Sequence, residues 1–110
     1  MRTVFVVGKD QMGCGDKALG QKILGSCLRK LVNRSNVEAI VFYNTGVQLL
    51  LKGSPVAVEI GLLQEHGLDL LPCKTCVEHF GIQDRLLVDR LSDMDEILST
   101  IHAADKVVTL

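Results

Sequence analysis

Leu68-Asp69-Leu70-Leu71-Pro72-Cys73-Lys74-Thr75-Cys76-Val77-Glu78-His79-Phe80-Gly81 reads as a strand, a sharp turn and a short helix. The apolar run up to Leu71 has strand length, Pro72 halts it, and Gly81 supplies a helix stop because glycine enters the left-handed conformation without a Cβ penalty. Cys73 then falls at the helix mouth, where the first N–H groups lack intrahelical partners and the peptide dipoles favour an anion. A thiolate placed there has a lowered pKa and is the attacking form of cysteine. Cys73, Cys76 and His79 are three apart, so on a helix they lie roughly along one face.

Working outward, the same alternation of strand and helix fills the rest of the chain. Thr3 to Val7 is β-branched and aromatic, as in a strand buried on both faces. A glycine-rich loop, Gly8 to Asp16, leads into a helix on which Leu19, Ile23, Leu24, Cys27, Leu28 and Leu31 recur at three- and four-residue spacing. Cys27 on that stripe reads as a buried small hydrophobe. Asn33 to Asn36 breaks the helix, Val37 to Tyr43 forms a second strand, and Asn44-Thr45-Gly46 turns the chain. Val47 to Leu51 is a short apolar run. Ser54-Pro55 then reads as an N-cap and first helical residue of a helix that runs to His66 and stops at Gly67. His66 near a helix C-terminus is read as structural, as is His102. Arg85 to Val88 is a strand candidate, Ser92 to Asp95 a capping box opening a helix with Met94, Ile97, Leu98 and Ile101 on one stripe, and Lys106 to Leu110 a last strand. Strands alternating with helices predict an α/β fold, a three-layer α/β/α sandwich on a mainly parallel sheet of five strands. Residues 1–110 are read as one domain.

Twelve basic residues are dispersed among thirteen acidic ones, tryptophan is absent, and 47% of residues are hydrophobic. That balance argues against a nucleic-acid binder, which carries a basic stripe and aromatic stacking platforms. No apolar run reaches the roughly 20 residues of a membrane span, and no signal peptide is evident, so a cytoplasmic protein is expected. Four cysteines in that setting read as thiols rather than as a disulfide framework.

In open α/β sheets ligands bind beyond the carboxyl ends of the strands. Three loops converge there: Gly8 to Asp16, Asn44 to Gly46, and Pro72 to Cys76. They make Cys73 and Cys76 the candidate catalytic residues, and Gly13, Gly15, Asn44, Lys74 and Thr75 the candidate substrate-binding residues. A phosphate loop is disfavoured, because Cys14 and Gly15 stand where lysine and a hydroxyl must be. Gly13-Cys14-Gly15-Asp16-Lys17-Ala18 fits G-x-G-x-x-A formally, but it begins five residues past the strand, and the second strand ends in Tyr43-Asn44 rather than in an acid to hold a ribose. A zinc site would need Cys14 with His79 or His66 to complete a single C-x-x-C pair, so no metal and no cofactor are expected. Thiol–disulfide exchange is the stronger chemical alternative, since C-x-x-C at a helix start beside a strand is its mechanical setting.

Met12-Gly13-Cys14-Gly15-Asp16 with Leu19-Gly20, taken together with Leu71-Pro72-Cys73-Lys74-Thr75-Cys76 and Phe80-Gly81, resembles the DsrE-like sulfur-relay family, and within it the DsrE-like domain of YedF sulfurtransferase-like proteins linked to selenium metabolism. The resemblance implies a five-stranded parallel sheet between helices, oligomeric assembly, and a sulfur-accepting cysteine that falls on Cys73, with Cys76 as its second cysteine. Lys74 stands where the related C-G-T-C pattern has glycine, adding a cation beside Cys73. YedF proteins carry a TusA-like domain ahead of this one, so the resemblance implies a TusA-like or other persulfide donor or acceptor as partner, alongside a homo-oligomer. The sequence thus points to a sulfur carrier that relays sulfane sulfur as a persulfide on Cys73, resolved by Cys76. The competing reading is a silent assembly module of the same fold, with Val47 to Leu51 either exposed as an oligomer contact or packed under the second helix.

Overall fold

In the computed structural model, which describes residues 1–110, the apolar runs form four strands: β1 (Thr3–Val7), β2 (Val37–Phe42), β3 (Asp69–Pro72) and β4 (Lys106–Thr109). All neighbours are parallel, in the order β3-β2-β1-β4. Parallel neighbours need crossover connections, and these are right-handed in nearly all proteins. The chain therefore lays α1 (Lys17–Leu31) and α2 (Ala57–Glu65) on one face as it steps from β1 to β2 to β3. It returns past β1 to β4 by way of α3 (Lys74–Phe80), whose Val77 joins the core of that first face, and α4 (Met94–Ala103), whose Ile97 covers the other face.

Each face buries its own core, which makes three layers. On the first face Leu24, Leu28 and Leu31 of α1 and Ile60 and Leu63 of α2 pack with Ile40 and Phe42 of β2. On the second, Val4, Val6, Ala39, Val41, Leu71 and Cys73 pack under Ile97 of α4. Alternate residues of each strand point to opposite faces, so a buried parallel strand is apolar at consecutive positions, as β1 is from Val4 to Val7 and β2 from Ala39 to Phe42. The two helices on the first face are tied by a partly buried ion pair, Arg29 Nη1 to Glu59 Oε2 at 2.6 Å.

Several expectations are corrected. The sheet has four strands, not five. Arg85 to Val88 does not join it: residues Gln83–Arg85 make a turn of 3-10 helix, and Leu86 forms a lone antiparallel bridge with Leu51. Leu86 and Val88 go into the first core, where a sheet-edge position would have left one of their faces to solvent. Val47, Leu49 and Leu50 are at most 1% exposed within a 3-10 segment, Asn44–Leu50, so this run is core and not an interface patch. α2 starts at Ala57 rather than at Ser54-Pro55, because the Ser54 hydroxyl donates to Leu49 O at 2.7 Å and accepts from Val56 N at 3.2 Å, closing a tight turn first. α4 is capped by Asp93, whose carboxylate accepts from Glu96 N at 2.8 Å, one residue later than the Ser92 box. Leu19 and Ile23 of α1, and Met94 and Leu98 of α4, stay exposed: those helices each cover one side of a narrow sheet, so only part of each apolar stripe finds strands beneath it. Cys27 is half-buried instead of fully buried.

Candidate functional site

β3 runs directly into α3, and the turn between them is pinned on both sides. Cys73 N donates to Phe42 O at 2.9 Å, extending the β2–β3 register by one residue. Ser92 N donates to Pro72 O at 2.8 Å and Lys74 N donates to Ser92 O at 2.7 Å, so the segment before α4 braces the turn from its other edge. Gly81 ends α3 with φ of 64°, the left-handed stop expected from its lack of a side chain.

Cys73 is the N-cap of α3, but its sulfur makes no capping hydrogen bond and is only 4% exposed, packed with Leu71, Val41 and Ile97. Cys76 takes the outward position. Its sulfur accepts from Asn44 N at 3.1 Å and borders a recess of about 270 Å³ lined also by Thr75, His79 and Phe80. The His79 and Phe80 rings meet edge to face at 5.1 Å. Burial pushes the Cys76 thiol up; the Asn44 N–H pulls it down, and the neighbouring Cys73 sulfur pushes it up again through hydrogen bonding and charge repulsion. The Cys73 sulfur behind it is therefore one of the groups that disfavour negative charge on Cys76.

The backbone N–H that meets Cys76 is presented by a loop held in place from β1. Asn44 has φ of 52°, a left-handed conformation that asparagine tolerates, and its side-chain oxygen accepts from Thr45 N at 2.8 Å. The Thr45 hydroxyl accepts from Asp10 N at 3.2 Å, and Tyr43 N donates to Val7 O at 3.1 Å. Gly46 seals this junction, since a Cβ there would lie 2.3 Å from Val7 O. The ends of β1, β2 and β3 are thus one connected construction, with Cys76 at its outer surface.

Of the expected site residues, Cys73, Cys76, Asn44 and Thr75 come together. Lys74 is exposed and joins the site only through its backbone N–H to Ser92. Gly13 and Gly15 do not join it: they are exposed, with φ of 83° and 124° and no neighbouring atom within 4 Å of where a Cβ would stand. Their loop turns back on α1, with Met12 N donating to Gly20 O at 3.0 Å. Cys14 in this loop is exposed and accepts from Lys9 Nζ at 3.0 Å. His66 has the structural place read for it, Nδ1 lying 2.9 Å from Leu62 O at the end of α2. No three His, Cys, Asp or Glu side chains gather as metal ligands. The sequence reading missed Phe80 as part of the recess; its spacing of four from Cys76, with His79 at three, is the signal that places all three on one face. It also missed that Asn44 acts through its backbone, which no side-chain pattern reveals.

A parallel α/β sheet whose carboxyl edge carries two sulfurs in contact, one buried and one facing solvent, defines a small thiol-bearing α/β domain. The family profile described as DsrE/DsrF-like matches residues 18–110, and the chain belongs to that family, which is associated with sulfur relay in general. Solved structures of similar fold include YchN from E. coli, at TM-score 0.72 and 21% identity over 100% of both chains. MTH1491 from Methanobacterium thermoautotrophicum, a protein of unknown function, aligns at TM-score 0.73 and 22% identity over 99% of this chain and 98% of its own. BT1422 from Bacteroides thetaiotaomicron, also of unknown function, aligns at 0.68 and 17% over 98% and 94%. At these identities the likeness is one of fold. No curated protein matches the sequence. No helix is long and apolar enough to cross a membrane.

Proposed function

We propose that this chain is a sulfur carrier that accepts sulfane sulfur on its Cys73–Cys76 pair as a persulfide and passes it to a partner thiol, in the manner of the DsrE-like domain of YedF proteins. The observation that carries the reading is the contact of the Cys76 sulfur with Asn44 N at 3.1 Å on the wall of an open recess, with the Cys73 sulfur behind it. A sulfur that accepts an N–H bond is held in the orientation its thiolate needs, and the recess admits a donor's terminal sulfur.

In this reading Cys76, rather than Cys73, is the accepting thiol, and access supports that choice. Cys73 lies in an apolar pack with its sulfur unbonded by helix N–H groups, whereas Cys76 is the thiol a partner can reach. In the loading step the Cys76 thiolate attacks the outer sulfur of a donor persulfide; one S–S bond forms, the donor's S–S bond breaks, and the donor leaves as a thiolate. An acceptor thiolate reverses this on the outer sulfur, so relay needs no oxidant. In a side reaction Cys73 attacks the inner sulfur of loaded Cys76, forming a disulfide and expelling hydrosulfide, and an external dithiol then restores the pair. The partners of this reading are TusA-like or other persulfide proteins, working on a homo-oligomer of this chain, with selenium a chemically equivalent cargo. Four free thiols suit a reducing compartment such as the cytoplasm. The adjacency of the two sulfurs also favours a second reading, dithiol–disulfide exchange.

The test is loading with a low-molecular-weight persulfide, read by intact mass. Wild type is expected to gain one sulfur atom, Cys76→Ser none, and Cys73→Ser one that persists longer. Loading that survives Cys76→Ser and is lost in Cys73→Ser would return the accepting role to the buried thiol. A wild type that gains no sulfur yet reduces a disulfide substrate would refute the carrier reading in favour of exchange.

A further inference from the structure

The sheet's topology leaves one place uncovered on its first face. α1 leaves β1 toward β2, so nothing in the connections lays a helix over β4, the edge strand on the other side of β1. Phe5 and Val108 are directly paired across β1 and β4, project to that same face, and remain only half-buried. Cys27 of α1 forms the opposite wall, and the space between is a groove of about 530 Å³. Sites for small molecules fall in the range of about 300–1,000 Å³ and combine an apolar floor with a few convergent polar groups.

Beside the uncharged Thr3, Ser35 and Asn36, the charged side chains here are all of one sign. Lys30 and Arg34 at the end of α1 and Lys106 at the start of β4 line the groove, and no acidic residue does. None of the three has a carboxylate within ion-pair distance; Arg2, Lys17, Arg29 and Arg90 are paired, and the remaining unpaired basic residues, Lys9, Lys22, Lys52, Lys74 and Arg85, lie outside the groove. In a chain of net charge −1, three unpaired cations over an apolar floor are a local concentration of charge that the fold does not itself neutralise. Like charges gathered without a counterion repel one another, and an incoming anion relieves that repulsion while its apolar part covers Phe5 and Val108.

We propose that this groove, far in kind from the cysteine recess, binds an aliphatic carboxylate: the chain lies on Phe5, Val108 and Cys27, and the carboxylate meets Lys30, Arg34 and Lys106. Cys27 supplies an internal reporter. Its thiol is pushed up by burial, so it alkylates slowly, and a ligand lying against it slows it further.

The experiment uses decanoate as the probe, decanol as its uncharged counterpart, and the rate of Cys27 alkylation read by peptide mass mapping, with Cys76 as the internal control. Decanoate is expected to slow Cys27 at least tenfold and leave Cys76 unchanged, and decanol at the same concentration to leave both unchanged. The double variant Arg34→Glu/Lys106→Glu alters only exposed side chains, so its fold is retained; its decanoate affinity is expected to fall about tenfold or more, since like charge replaces the attraction. Protection by decanol equal to that by decanoate, unaltered affinity in the double variant, or no protection of Cys27 would each overturn the proposal. None of these outcomes depends on sulfur loading at Cys76.

Discussion

Replacing Gly46 by alanine tests the claim that the three strand ends form one construction. A Cβ at this position would stand 2.3 Å from Val7 O and 3.1 Å from Val7 C, both backbone atoms of β1 that have no side-chain freedom with which to yield. Contacts of this kind sit near 3.4 Å or more, so the loop must retreat by about an ångström, and overpacking of that order costs about 1–3 kcal/mol or somewhat more. For a domain of this size each kcal/mol moves the melting temperature by roughly 4–8 °C, so a drop of about 5–20 °C is expected by circular dichroism or calorimetry. The retreat also draws Asn44 N away from Cys76, removing the one contact that pulls its thiol down; the midpoint of a pH profile of Cys76 alkylation should rise. Gly61→Ala is the matched control. It lies inside α2 with no atom within 4 Å of the new methyl group, and alanine there should stabilise by about 0.5–1 kcal/mol. If Gly46→Ala melts within about 2 °C of wild type, a shift well under 1 kcal/mol, the close approach of the β2 loop to β1 is not what holds the site together.

Three further outcomes are expected. Leu50→Asp places a charge at a position 0% exposed and without a partner, so it should unfold the chain near room temperature, by more than about 4 kcal/mol; a variant that stays folded and only changes its oligomeric state would contradict the core placement. Alkylation of Cys76 in wild type should rise with pH through a midpoint above the ordinary thiol value of about 8.5, because burial and the Cys73 sulfur disfavour its thiolate; a midpoint below that value would contradict the geometry. Glu96 is held below the usual carboxylate range, first by the Ser92 hydroxyl at 2.5 Å and then by Arg90. Its contribution to stability is therefore complete above the unfolded glutamate value of about 4.3 and is lost as pH falls through the lower folded value. With its side chain 39% exposed the effect is screened and small, and Glu96→Gln should flatten the acid limb of the stability curve; parallel curves for the two proteins would refute the assignment.

Much of this protein was legible as pattern. Consecutive apolar residues at Thr3 to Val7 and Val37 to Tyr43 announced strands buried on both faces, and Pro72 and Gly81 bounded the cysteine segment, because those signals are local: two-face burial, a missing N–H, a missing Cβ. The C-x-x-C pair and its place between a strand and a helix followed from the same local grammar, as did the capping of α4 to within one residue. What the sequence left open was every question whose answer depends on which surface lies opposite. Val47 to Leu51 is apolar whether it faces a partner or a core, and only the packing of the 3-10 segment Asn44–Leu50 among the first-face helices made it core. Arg85 to Val88 carries strand composition, yet a strand exists only where a neighbour offers its ladder, and here Leu51 offered a single bridge. Spacing put Cys73 at the helix mouth and Cys76 one turn in, which favours Cys73 when the helix is considered alone. The tertiary structure lays α4 and the strands of the second face over Cys73, and turns the β2 loop so that a backbone N–H meets Cys76. Reactivity follows access and hydrogen-bond partners, and both are supplied by residues far away in the chain: Asn44 stands 32 positions from Cys76.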